Sequence, residues 1–210
     1  MRVLNLYAGI GGNRKLWGDE HEITAVEYNP DIAAVYKDFY PNDTVIVGDA
    51  HEYLLKNYKE FDFIWASPPC QSHSRILDSQ YTRKNYNPKY PDMKLWQEII
   101  FLQGHQRDKK WVVENVVPYY QPLIAPAVEL HRHLFWSNFN IPFLHFTDET
   151  VIKYVKGSNG LYGISLDAYK IENKRQILRN MVNPEVGKYI LDRAMDKPIC
   201  MQNTLFEGIA

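Results

Sequence analysis

Short apolar runs alternate with helical patterns through the first third of the chain, and that alternation restricts the fold more than any other feature. Val3 to Ala8, Ile23 to Glu27, Thr44 to Val47 and Phe61 to Trp65 read as strands; helical spacing fills the intervals near Asn13 to Trp17, from Pro30 to Phe39 and from His51 to Tyr58. Repeated βαβ units imply a mostly parallel sheet with helices on both faces. Further along, Met93 to Arg107 is amphipathic, Trp111 to Val117 is a strongly β-branched strand, and Leu134 to Phe139 is an aromatic one. Asn183 to Met195 predicts a helix that tolerates Pro184 in its first turn, and the glycines from Gly157 to Gly163 predict a turn between two strands.

At 210 residues the chain fits a single domain, 1–210, with no linker, repeat or low-complexity tract. No apolar run is long enough to span a membrane, and the N-terminus opens straight into a strand rather than a signal peptide. Cys70 and Cys200 make no disulfide framework, so a soluble, cytoplasmic protein is expected. The seven histidines show no metal-binding spacing, and His131 with His133 reads as one face of a strand; no metal is expected. A net charge of −1 argues against indiscriminate coating of nucleic acid and requires any such contact to come from a local patch. Between Cys70 and Pro91, Arg75, Arg83, Lys84 and Lys89 face a single acid, Asp78, and are interleaved with Tyr81, Tyr86 and Tyr90, a mixture suited to phosphates and stacked bases.

Four features carry chemistry. Pro68 and Pro69 stiffen the turn after the fourth strand and hold Cys70 rigidly at its end, as a nucleophile requires. Tyr7-Ala8-Gly9-Ile10-Gly11-Gly12 follows the first strand, where glycines let the backbone approach a nucleotide-like ligand. Glu27 and Asp49 end the second and third strands, either as ligand-directed acids or, respectively, as a surface charge and a helix cap. Glu114 sits inside an apolar strand, where a carboxylate is costly without a partner and is therefore a functional candidate, the alternative being a structural ion pair.

Pro68-Pro69-Cys70-Gln71 and Glu114-Asn115-Val116, in that order, resemble the DNA (cytosine-5) methyltransferase family. The resemblance covers about Val3 to Gly187 and implies a Rossmann-like S-adenosylmethionine-dependent methyltransferase fold. It implies Cys70 as nucleophile toward a flipped cytosine, Glu114 on the base edge, and Arg132 as a further contact from an imperfectly matched Arg-x-Arg element, with Arg132 on the opposite strand face from His131 and His133. For S-adenosylmethionine it implies Tyr7, Ala8, Gly9, Gly11 and Gly12, then Glu27 with Tyr28, Asp49 with Ala50, Pro68, and Asn180 with Val182 from a last motif before Pro184. Tyr7 stands where the family usually has phenylalanine. Arg179 stands where that motif usually has glycine, and would hold the cofactor carboxylate, touch DNA or cap a helix; an extra cation there would also suit a sulfonium donor bearing an additional carboxylate. Ser72, Ser74, Arg75, Arg83 and Lys84 are the expected contacts to double-stranded DNA.

Where family members usually carry a recognition domain, only a short insert, 138–173, is present, which predicts short or relaxed sequence specificity. The tail, 198–210, contains Gln202-Asn203-Thr204-Leu205-Phe206, which fits the pattern of peptides that dock on bacterial sliding clamps through Gln202, Leu205 and Phe206. Two rival functions share the same motifs: an RNA cytosine-5 methyltransferase and a noncatalytic nucleic-acid-binding module.

Overall fold

The computed structural model describes residues 1–75, 77, 87–146 and 160–198. A seven-stranded sheet is built from β1 (Arg2–Leu6), β2 (Glu22–Glu27), β3 (Thr44–Val47), β4 (Phe63–Ala66), β5 (Lys110–Val116), β6 (Val128–Leu130) and β7 (His133–Ser137), in the order β3-β2-β1-β4-β5-β7-β6. Neighbours from β3 to β5 are parallel, and β7 enters antiparallel between β5 and β6. The connecting helices are α1 (Pro30–Phe39), α2 (Ala50–Asn57) and α3 (Lys94–His105); α4 (Lys174–Asn180) and α5 (Pro184–Ala194) close the described chain. The mostly parallel sheet is the one the βαβ repetition predicts, and the fold is Rossmann-like, as the family resemblance implies.

Period-two patterning distributes the core to both faces of the sheet. Val3, Phe63, Trp65, Val112 and Phe135 pack with Val186, Ile190 and Leu191 of α5 on one face. Leu4, Leu6, Ile64, Ala66, Val113 and Trp136 pack with Leu54 of α2 and Leu95, Ile99 and Leu102 of α3 on the other. Helix starts are set by side chains: Asn29, Asp49 and Asn183 each accept backbone N–H bonds at the beginnings of α1, α2 and α5.

The chain runs outward from β1 to β3, then crosses back to β4, so the strand order reverses between β1 and β4. In an open α/β sheet the crevice beyond the carboxyl ends of such a pair is where ligands bind. The glycine loop follows β1 and the Cys70 turn follows β4, placing both there.

Two local readings need correction. His131 and His133 do not share a strand face: His131 has φ +57° in the turn joining β6 to β7, and β7 begins only at His133. Phe61 lies ahead of β4, which starts at Phe63. The expected glycine turn is the hairpin β8 (Gly160–Leu161) to β9 (Ile164–Ser165), with positive φ at Tyr162 and Gly163; Gly157 lies outside the described residues.

Candidate active site

The crevice at the β1–β4 reversal has a volume of about 1830 Å³. Small-molecule pockets run to roughly 300–1,000 Å³, so this one has room for a cofactor and a nucleotide together.

Its first wall is the loop after β1. Gly9 has φ +55°, a conformation L-residues resist, and a Cβ placed there would meet nothing within 4 Å, so its backbone lies open toward the crevice. The Gly9 N–H donates to Glu27 Oε2 at 2.9 Å, and Asn29 N–H donates to Glu27 Oε1 at 2.9 Å. Glu27 thus braces the loop with both oxygens while still lining the crevice beside Tyr28. Gly12 matters for a different reason: a Cβ would stand 1.9 Å from Met181 Cγ and 2.7 Å from the Val182 carbonyl oxygen. The segment after α4 closes onto this loop at van der Waals distance, bringing Asn180 and Val182 to the crevice.

Tyr7 also has positive φ, +56°, unusual for an aromatic residue. Its hydroxyl donates to Glu98 Oε1, an oxygen that also faces His51 Nδ1 at 2.9 Å. Glu98 is fully buried, and burial raises its pKa. The tyrosine in place of phenylalanine therefore has a partner on α3 that only the fold reveals.

The second wall is the turn after β4. The Pro68 carbonyl accepts a bond from Asn115 Nδ2 at 2.8 Å, and the Cys70 carbonyl accepts from the N–H groups of His73 and Ser74. The Cys70 turn is thus tied to β5 and closed on itself. Cys70 is partly buried, and desolvation together with the nearby Glu114 charge pushes its thiol up to about 11.

Glu114 rises from β5 at 6% exposure. Register pairs it with Phe135 and pairs Val116 with His133, which puts the His133 ring on the Glu114 side of the sheet, Nε2 at 3.4 Å from Oε1. Burial raises the Glu114 carboxyl to about 7, against the opposing pulls of the Ser67 hydroxyl and the Arg132 guanidinium. His133 is held down to about 3 by burial, then by the cation of Arg132, and is neutral at pH 7. The result is a carboxyl poised to donate or accept a proton beside a thiol at the bottom of a crevice. Ser67, which accepts from Trp65 Nε1 at 2.8 Å and bonds Glu114, had no sequence signal beyond its place before Pro68.

Arg132 lines the crevice from the β6–β7 turn, not from a strand face. Ser72, Ser74 and Arg75 line it too: Ser72 Oγ accepts from Asp92 N–H at 2.9 Å, and Ser74 bridges to Pro118. Arg83 and Lys84 lie outside the described residues, as do Gln202, Leu205 and Phe206. Gly11, Asp49 and Ala50 stand apart from the crevice lining. Gly11 packs under the Tyr36 and Tyr40 rings, Ala50 is buried in the core, and Asp49 caps α2 and pairs with Lys94 Nζ at 3.2 Å. Among the described residues no cluster of histidine, cysteine and acidic side chains could hold a metal, and no helix is long and apolar enough to cross a membrane.

S-adenosylmethionine fits this site on the chain's own features: an open glycine cradle at Gly9, a braced acid at Glu27, the exposed Tyr28 ring, and Pro68 and Val182 closing the far side. The chain is 32% identical over 82 residues to a tRNA (cytosine(38)-C(5))-methyltransferase of Mus musculus, a stretch that is 36% of this chain and 20% of that relative's length. Among solved structures it is similar to DNMT2 of Spodoptera frugiperda, at 28% identity over 55% of this chain and 35% of that one, TM-score 0.36. It is also similar to a SAM-dependent methyltransferase of Agrobacterium tumefaciens, at 15% identity over 57% and 40% of the two chains, TM-score 0.41. The model of the C-5 cytosine-specific DNA methylases matches residues 1–118, the stretch that runs from the glycine loop through the Cys70 turn to Glu114, and the chain belongs to that family.

Proposed function

We propose that the protein methylates C5 of cytosine in DNA. The observation that supports this reading is the convergence of Cys70 and the buried, proton-holding Glu114 on one crevice with the Gly9 cradle. S-adenosylmethionine is the family's methyl donor and, bound along Gly9, Glu27, Tyr28 and Val182, supplies an electrophilic methyl group on a sulfonium.

A base stacked in a duplex is out of reach, so the cytosine is extruded into the pocket. Cys70 sulfur attacks C6, the C5–C6 π electrons move toward N3, and Glu114 gives its proton or a strong hydrogen bond to N3 to absorb that charge. C5 becomes the nucleophile. After C5 is alkylated, loss of its proton restores the double bond and expels Cys70. Burial first, and then the Glu114 charge, holds the Cys70 thiol up to about 11, so its proton passes to solvent as the sulfur adds to C6, and a protonated Glu114 removes the second of those two effects.

Purified protein and its Cys70→Ala variant, incubated with unmodified duplex DNA and S-adenosylmethionine, test this by nucleoside mass spectrometry. Cys70-dependent 5-methylcytosine is the expected product; equal product from both proteins overturns the mechanism. A second reading, RNA cytosine methylation, is favoured by the mouse tRNA methyltransferase similarity, and a parallel arm with tRNA separates the two.

A further inference from the structure

We propose that α4 and the adjoining β6–β7 turn form a phosphate-holding rim, which grips the backbone of the strand whose base enters the crevice. This rests on the nucleic-acid reading above and assigns to it residues that the chemistry did not use.

The sequence of α4, Lys174-Arg175-Gln176-Ile177-Leu178-Arg179-Asn180, holds three cations and no acid. Its inner side is fixed: Leu178 is fully buried in a cluster with Ile10, Val35, Ile164 and Met181. Its outer side is not. Arg175 and Arg179 are exposed and line the crevice, as does Lys174, whose Nζ contacts only the Asp167 carbonyl, at 3.5 Å, among its described hydrogen bonds. Arg132, also exposed and on the lining, donates from Nη2 to the Arg179 carbonyl oxygen at 3.3 Å, so turn and helix are one piece. Among the described ion pairs, none engages Arg132, Arg175 or Arg179 with a carboxylate.

Four like charges on one edge repel one another, and an anion bound among them relieves that repulsion. That anion is extended rather than small, because Arg75 and Lys89 line the same crevice and its volume exceeds that of a cofactor. Guanidinium forks suit phosphate oxygens, and a row of them suits a phosphodiester backbone. Acids on the lining do not cancel the rim: Glu27 is spent on backbone N–H groups, Asp92 Oδ1 caps Lys94 N, Glu114 is buried and acts on Arg132 alone among these four cations, and Glu129 is the one remaining exposed carboxylate on the described lining.

The test is fluorescence anisotropy of short labelled cytosine-containing duplex DNA, single-stranded DNA and RNA against salt. The proteins are wild type, Lys174→Gln/Arg175→Gln, Arg179→Gln, and a Lys56→Gln/Lys188→Gln control remote from the crevice. Each phosphate contact contributes about 0.9 to the slope of log affinity against log salt on duplex and about 0.7 on single strands. The double variant is expected to lose about 1.4 to 1.8 from the slope, Arg179→Gln about 0.7 to 0.9, and the control nothing. Urea unfolding verifies that the variants are folded, and the polymer that wild type binds most tightly at one fixed salt concentration identifies the substrate backbone. Unchanged slopes in folded α4 variants overturn the rim while leaving the reaction standing. Failure of the wild-type protein to bind any of the three polymers overturns both.

Discussion

Glu114 and His133 illustrate how a single pair sets both chemistry and pH response. The Glu114 carboxyl at about 7 lies above its ordinary 4.5, so its contribution to stability is complete below pH 4.5 and is lost as pH rises through 7. His133 at about 3 lies below its ordinary 6.5, so its contribution is complete above pH 6.5 and is lost as pH falls toward 3. Between 4.5 and 6.5 the two slopes cancel. Glu114→Gln removes one of them, and the variant should gain on the order of 3 kcal/mol across that window relative to wild type; urea midpoints at the two ends of the window measure it, and parallel curves for the two proteins would show that Glu114 does not titrate above its ordinary range. The same substitution removes the charge that, after burial, raises the Cys70 thiol. Iodoacetamide should therefore alkylate Cys70 faster in Glu114→Gln than in wild type, by mass spectrometry, even as methylation falls by orders of magnitude. A third residue-scale expectation concerns Tyr7, whose hydroxyl partners the buried Glu98. Tyr7→Phe leaves that carboxylate short of a donor and should cost about 1–3 kcal/mol of stability in urea unfolding, although phenylalanine fills the same space.

At the level of elements, the contact between the β1 loop and the segment after α4 has the sharpest test. Gly12 has φ −58°, which alanine adopts freely, so Gly12→Ala isolates packing from backbone strain. Its methyl would collide with Met181 Cγ and the Val182 carbonyl oxygen, and of the two the methionine yields more readily. A loss of about 1–3 kcal/mol is expected, partly restored by Met181→Ala in a double-mutant cycle; additive losses would mean that the two segments do not press on each other. This contact also shows what sequence could and could not disclose. Strand and helix positions were legible because Leu4, Leu6, Ile64 and Ala66 alternate cleanly with Val3, Phe63 and Trp65. The Cys70 turn and Glu114 were legible because prolines and a carboxylate are conspicuous in apolar surroundings. The β6–β7 turn was not: Leu130, Arg132 and Leu134 alternate like a strand, and only the positive φ of His131 breaks the run. Asp49 was legible as a helix cap, and its bonds to His51 and Glu52 are the ones found, while it stands apart from the crevice lining. Glu98 was hidden because a lone acid on an amphipathic helix looks like a solvated face until its partners, His51 and Tyr7, arrive from elsewhere in the chain.

For the molecule as a whole, the reversal of strand order between β1 and β4 lets three distant parts of the chain share one crevice: the glycine loop, the Cys70 turn and the segment that follows α4. A ligand that bridges these parts binds only the folded state and must stabilise it, by about 2.7 kcal/mol at a hundred times its dissociation constant. S-adenosylmethionine should therefore raise the unfolding midpoint. Cys70→Ala should retain the full effect, since in the proposed reaction the thiol meets the base rather than the cofactor. Gly9→Ala discriminates further. Its methyl would meet no protein atom within 4 Å but would project from a backbone at φ +55°, costing about 1–2 kcal/mol in the free protein while intruding where the cofactor lies. The variant should fold, unfold at a somewhat lower midpoint, and lose most of the cofactor-induced rise. Equal rises in Gly9→Ala and wild type would place the cofactor elsewhere and detach the glycine loop from the site; a loss confined to Cys70→Ala would put the sulfur, rather than the cradle, in contact with the methyl donor.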